Sequence, residues 1–183
     1  MSISKDDNSY LSEEKNKWRG FVYSLLSSEN CSCLVDDNNN LKYKWLELVG
    51  DNALTFDQLL NTGRISESML IGIDNREDNI KRCSERFSSA MFCACDWDSF
   101  CRRYTKNDIG VIVFDSWNAA FGKEFDYSLL STVKLALNCK KNIGECLVVV
   151  NVDSSKTYRS CAVRQCKTSR QILKEGIESI LIS

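Results

Sequence analysis

Residues 109–114 read IGVIVF and residues 146–152 read CLVVVNV. Runs this continuously apolar do not suit a sheet with one wet face, which would alternate. They suit a parallel sheet whose helical crossovers bury both sides. Working outward, shorter runs of the same kind occur at 43–49 (YKWLELV), 68–73 (SMLIGI) and 90–95 (AMFCAC). Between them, 54–60 reads as a helix, 76–87 carries Ile80, Cys83 and Phe87 at helical spacing, and 125–138 carries Leu129, Leu130, Val133, Leu135 and Leu137. Strands alternating with helices define an α/β class with a doubly wound, mainly parallel sheet.

The flanks are read the same way. Residues 11–26 place Leu11, Trp18, Phe21, Val22, Leu25 and Leu26 on one stripe behind Ser12, Glu13 and Glu14, an N-terminal amphipathic helix. Residues 27–40, with Asp36-Asp37-Asn38-Asn39-Asn40, read as a polar loop without periodicity and the most mobile segment. Residues 158–166 admit a strand, and 168–182 place Ile172, Leu173, Ile177, Ile180 and Leu181 as a helix covering the sheet. At 183 residues the expectation is one domain, with 1–42 as its N-terminal helix and loop and 43–183 as its main body.

The absent residues narrow the chemistry. With no His, the chain supplies no Ser-His-Asp triad, Cys-His dyad, His metal ligand or imidazole acid/base. With no Pro and 8 Gly, turns fall to Asn, Asp and Ser, and a Gly-rich phosphate loop is excluded. A net charge of −1 gives no global field for nucleic acid, so such contact requires a local patch. The ten Cys are read as small buried hydrophobes in a reducing cytoplasm, because the N-terminus MSISKDDNSYLSEEK lacks the apolar core of a signal peptide. Neither Cys31/Cys33 nor Cys161/Cys166 has zinc-knuckle spacing, so no metal is expected. No stretch approaches the ~18–20 apolar residues of a membrane span.

In an open parallel sheet the ligand crevice lies beyond the carboxyl ends of the strands, where strand order reverses. Those ends carry Glu47 with Gly50, Asp51 and Asn52, then Asp74, then Asp96-Trp97-Asp98, then Asp115-Ser116-Trp117-Asn118, and finally Asn151 and Asp153. Each Asp alone is better explained by capping the next helix than by a ligand. Their convergence on one rim points to a polar ligand, with the acid after the second strand placed for ribose hydroxyls.

The series WLELVGDNAL, LIGID, CACDWDSF and IVFDSWN over residues 43–155 resembles the motif order of class I S-adenosylmethionine-dependent methyltransferases. The resemblance implies a Rossmann-like fold and S-adenosylmethionine as cofactor. It implies that Glu47, Gly50 and Asp51 approach the methionine part, that Asp74 holds the ribose, and that Asp96, with Trp97 beside it, meets the adenine. Asp115, Trp117 and Asn118 would then face the methyl group and the acceptor. Trp117 reads equally as an aromatic packed beside the sheet.

Two departures are visible. Gly50 stands alone where the family has G-x-G, so Asp51 and Asn52 must supply backbone conformations that Gly adopts freely. The segment DSWN lacks both prolines of (D/N)PP(Y/F/W), which argues against amino-group methylation, and no Cys follows the fourth strand to attack cytosine C5. Methyl transfer is an in-line displacement that needs alignment and at most one base, so it requires no His. Asp115 is the candidate to orient or deprotonate an acceptor.

Basic residues gather at Lys81-Arg82, at Arg102, Arg103, Tyr104 and Lys106, and at Arg159, Arg164, Lys167 and Arg170. The second group mixes charge with an aromatic and reads as near the third strand's exit, though solvated surface explains it better than a nucleic-acid contact. The length leaves no room for a target-reading domain, so a protein partner or second copy is expected. The rival readings are a catalytically degenerate member acting as a partner subunit or binding module, and another kind of nucleotide binder. The latter lacks both G-x-x-x-x-G-K-[ST] and G-x-G-x-x-G. Few Gly, no Pro and many Asn and Ser suit a viral or mobile-element origin.

Overall fold

The computed structural model describes residues 29–50, 53–115 and 146–151, together with Lys17, Gly20, Phe21 and Ser24. A 3-10 turn, Glu29–Leu34, precedes β1 (Lys44–Leu48) and α1 (Leu54–Asn61). A second 3-10 turn, Glu67–Met69, leads into β2 (Leu70–Asp74), α2 (Glu77–Arg86), β3 (Met91–Ala94), α3 (Trp97–Arg103), β4 (Ile109–Asp115) and β5 (Leu147–Asn151). The five strands pair in parallel in the order β3-β2-β1-β4-β5. The chain therefore winds outward from β1 to β3, then crosses to the other side of β1 for β4 and β5. The doubly wound α/β expectation holds, and every strand lies within two residues of its expected range. Helix α3 was not foreseen, because seven residues offer fewer than two full turns of periodicity.

Side chains alternate across the sheet and feed two separate cores. On one face Trp45, Val49, Leu70, Val111 and Val113 meet Phe56 and Leu59 of α1 and Cys83 and Phe87 at α2. On the other, Leu46, Ile71, Ile73, Ile112 and Phe114 meet Phe100, Cys101 and Tyr104 of α3. Phe56, Phe87 and Phe92 form an aromatic trio with ring centroids 5.8–6.3 Å apart. Cys31, Cys83 and Cys101 are buried, and the described cysteines are all free thiols.

Helix α2 begins with Glu77 and Asp78 and ends with Arg86, which suits the helix dipole. Helix α1 ends where Gly63, at φ 68°, donates its N–H to the Leu60 carbonyl at 3.0 Å. Gly110 is skipped in the β1–β4 register, where Lys44 pairs Ile109 and Trp45 pairs Val111. A Cβ at Gly110 would lie 2.7 Å from the Tyr43 Cβ, so only glycine admits this close approach.

Within the polar loop expected over 27–40, residues 29–40 differ from that expectation. Glu29–Leu34 forms a 3-10 turn that buries Cys31 and Leu34, and Val35 bridges Leu41, itself buried. The Asp-Asn run is a tied turn: Asp36 Oδ1 accepts from the backbone N–H groups of Asn38 (2.9 Å) and Asn40 (2.8 Å), while Asn39 takes φ 65°. A single 3-10 turn exposes only an i, i+3 pair to the core, too short for a periodicity signal.

Lys17, Gly20, Phe21 and Ser24 are helical, and Phe21 is 57% exposed. The rest of the expected helix 11–26, the helix 125–138 and the tail 158–182 lie outside the described residues. No described helix is long and apolar enough to cross a membrane.

Gly72 packs in β2 where an added Cβ would lie 2.7 Å from the Phe92 ring and 2.8 Å from Val49 Cγ1. Gly72→Ala should cost about 1–3 kcal/mol by overpacking. Gly50→Ala, with nothing within 4 Å of the new Cβ, should stay within about 0.5 kcal/mol of wild type. Urea midpoints for the two variants check this, and equal midpoints would contradict the packing argument.

Candidate functional site

Strand order reverses between β1 and β4, and the chain leaves their carboxyl ends in opposite directions. The register places acidic positions around this point in steps. Glu47 is level with Gly72 of β2 and Val113 of β4. Two residues past Gly72 comes Asp74, level with Ala94, and two residues past Ala94 comes Asp96. On the other side, two residues past Val113 comes Asp115, level with Asn151. The acidic positions form a shallow V with Glu47 at its base, each step rising about 6–7 Å.

Glu47 is 4% exposed, and the indole N–H of fully buried Trp45 donates to its Oε2 at 2.6 Å. Period-2 alternation puts these two side chains on one face, which is why the bond forms within a single strand. Beyond β1, Val49 donates to the Ile73 carbonyl at 3.0 Å and extends the ladder toward Gly50. Gly50 is exposed, and its carbonyl accepts from the Cys83 thiol of α2 at 3.6 Å.

Asp74 is buried and held at both oxygens. Oδ1 accepts from the Arg76 backbone N–H at 2.8 Å, and Oδ2 accepts from Asn79 Nδ2 at 2.8 Å. The Arg76 guanidinium approaches Oδ1 at 3.5 Å but is mostly exposed. Ionised, Asp74 retains roughly half of its four acceptor sites.

Asp96 is exposed and N-caps α3, accepting from the Ser99 backbone N–H at 2.7 Å, which holds its carboxyl below the ordinary value. Trp97 opens α3 with its ring 4.3 Å from that of Phe114, and its indole N–H is buried without a hydrogen-bond partner among the described residues. Burial pushes the Cys93 and Cys95 thiols up, so neither is poised as a thiolate nucleophile.

The structure thus brings Glu47, Gly50, Asp74, Asp96 and Trp97 to one edge, with Asp115 at the end of β4. Asp51, Trp117 and Asn118 lie outside the described residues. The capping explanation holds for Asp96, and for Asp74 in part, because its Arg76 bond tethers the start of α2. Two site features were not foreseen. Asn79 is 2% exposed, and its signal was a polar residue four positions before Cys83, on the apolar stripe of α2. Ala53 takes φ 44°, ψ 45°, a left-handed conformation with no sequence signal at an alanine.

The basic group at Arg102, Arg103 and Lys106 is corrected in place and composition. Helix α3 runs back from the carboxyl edge, about 10 Å over seven residues. Its end leads to Asp108, whose carbonyl accepts from Lys44 at the start of β1. The backbone of the patch therefore lies toward the amino edge, while the Arg103 guanidinium still acts electrostatically on the Cys95 thiol next to Asp96. Tyr104 is buried, stacks on Phe100 at 5.0 Å and donates its hydroxyl to Asp108, so its ring is not offered to a base. A cavity of about 270 Å³ lined by Val35, Leu41, Leu59, Arg64 and Ile65 also lies toward that edge.

Among solved structures, the chain is similar to a SAM-dependent methyltransferase from Archaeoglobus fulgidus. The two superpose with a TM-score of 0.51 at 16% identity, covering 95% of this chain and 74% of that chain. No family model matches the chain, and no curated protein matches it. The architecture is the Rossmann-like methyltransferase fold.

Glu47→Ala removes the acceptor of a buried indole and should cost about 1–3 kcal/mol, while Glu47→Gln keeps an acceptor and should lose less. Urea denaturation at constant slope measures both, and equal losses would show that the Trp45 bond is not what matters. Asp96→Ala should cost about 0.5–2 kcal/mol at pH 7, with Asp96→Asn close to wild type. The Asp96 carboxyl lies below its ordinary value when folded. Its contribution is therefore complete above the unfolded value, about 4, and fades as pH falls through the folded one. Denaturation at pH 7 and near pH 2 should show the gap between the wild type and Asp96→Ala narrowing in acid, by the part of the cap that depends on charge; a constant gap would contradict it.

Proposed function

We propose that this chain binds S-adenosylmethionine along the carboxyl edge of its sheet and passes the methyl group to an acceptor. What supports the reading is the stepped set Glu47, Asp74 and Asp96 around Gly50 at the strand-order reversal. The residues fit the group. Open space beside Gly50 leaves the backbone approachable, Asp74 keeps acceptor capacity for hydroxyls, and the unpartnered indole N–H of Trp97 is a donor that a ligand would satisfy. When bound, the cofactor supplies a methyl group on a sulfonium.

In this reading Glu47, Gly50 and Asp51 hold the methionine end, Asp74 the ribose, and Asp96 and Trp97 the adenine. Asp115 orients or deprotonates the acceptor, and Trp117 and Asn118 position it. A partner chain or second copy helps select the acceptor; the buried Tyr104 ring, stacked on Phe100, gives no support to nucleic-acid stacking through the Arg102–Lys106 patch.

A second reading, a binding module of the same fold without turnover, is favoured by one observation. The connection from β1 to α1 holds Ala53 in a left-handed conformation and buries Val49, with Gly50 its single glycine. Release of label from methyl-labelled S-adenosylmethionine in the presence of cell extract separates the two readings.

Calorimetry with S-adenosylmethionine and S-adenosylhomocysteine tests the binding itself. Wild type should bind both, and Asp74→Ala should weaken binding about tenfold or more. Gly50→Leu, whose Cβ would meet nothing within 4 Å among the described residues, should melt close to wild type yet lose binding. No heat from folded wild type with either ligand overturns the proposal.

A further inference from the structure

Asn79 stands between an acceptor and a donor. Its Nδ2 donates to Asp74 Oδ2 at 2.8 Å and its Oδ1 accepts from Arg82 at 2.5 Å. A carboxylate only accepts and a guanidinium only donates, so these two partners fix which way the amide faces. Asn79 is 2% exposed whereas Arg82 lies on the surface of α2, so the relay runs from solvent to the buried carboxylate. The Arg76 backbone N–H holds the other oxygen. The Arg76 guanidinium also stands 3.5 Å from that oxygen, Oδ1, from an exposed position. With a hydrogen-bond donor on each oxygen the carboxylate plane is held, and its remaining acceptor directions are set.

We infer that Asn79 is a positioning residue: it orients Asp74 so that the free acceptor directions select a ligand carrying two adjacent hydroxyls. This rests on the cofactor-binding reading above. A carboxylate free to rotate about its Cβ–Cγ bond would still attract hydroxyls, but would lose the fixed pair of directions that favours a diol over a ligand without one. Arg82 acts one step further out, by holding the Asn79 amide.

The test compares S-adenosylhomocysteine with its 2′,3′-dideoxy counterpart by calorimetry on wild type, Asn79→Ala, Arg82→Met and the Asn79→Ala/Asp74→Ala double variant. Asn79→Ala should weaken the diol ligand about tenfold and leave the dideoxy ligand within about twofold. In the Asp74→Ala background, Asn79→Ala should add no further loss for the diol ligand, because its effect passes through Asp74. Equal losses for both ligands, or no loss for either, overturn the positioning role while leaving the cofactor reading intact. Wild type that binds neither ligand overturns the cofactor reading and this inference with it. If Asn79→Ala does not fold, exposed Arg82→Met decides: a two- to threefold narrowing of the diol preference supports the relay, and an unchanged preference overturns it.

Discussion

Burial of β1 and β4 on both faces is the constraint on which the rest depends. Trp45, Leu46, Ile112, Val113 and Phe114 are at most 1% exposed, with alternate side chains committed to opposite cores. Strands covered on both sides can offer a ligand nothing along their length. Only their ends remain, and at the carboxyl ends the connections diverge because β2 and β5 lie on opposite sides of the central pair. The same burial that stabilises the sheet leaves one opening, and the polar positions of the strands collect there.

Placing charge beside such a core is costly unless each group is satisfied. Among the described residues, the buried polar side chains are Glu47, Asp74 and Asn79, and each takes part in a named hydrogen bond. Their partners are an indole, a backbone N–H, an amide and, outermost, a surface guanidinium. Among the described residues no buried cation neutralises Asp74; Arg76 approaches it only from an exposed position. A bidentate guanidinium would use up the acceptor sites on both oxygens. Neutral donors instead hold the carboxylate in place and leave part of its acceptor capacity open.

The sheet was legible because buried parallel strands such as IGVIVF and LVVV write their environment as continuous apolar runs. The acids at the strand ends were equally readable, since each follows its run directly. What escaped was short or set by tertiary contact. Helix α3 and the turn Glu29–Leu34 are too brief for periodicity, yet both bury residues. Asn79 looked like an ordinary polar position in α2 until Asp74, five residues earlier, was seen beside it. The direction of a helical crossover, which a linear reading does not carry, moved the backbone of Arg102 and Arg103 toward the amino edge.

The connection between β1 and α1 concentrates the conflict between composition and fold. Ala53 is buried at φ 44°, a conformation that costs an L-residue with a Cβ roughly 1–2 kcal/mol. Among the described residues, the other two non-glycine residues at positive φ, Asn39 and Asn107, belong to a type that tolerates it. Ala53 has no such excuse, and it persists because its surroundings fix it: its N–H reaches the Gly50 carbonyl, its own carbonyl starts α1 by accepting from Phe56, and its methyl packs into the core of Phe56 and Leu59. A strained residue held by its neighbours is most often found where backbone position matters to function. Here the strain sits three residues from Gly50, in the turn that would bring main chain closest to a ligand at the strand-order reversal. The glycines that would have relieved it are missing, but the turn is made all the same.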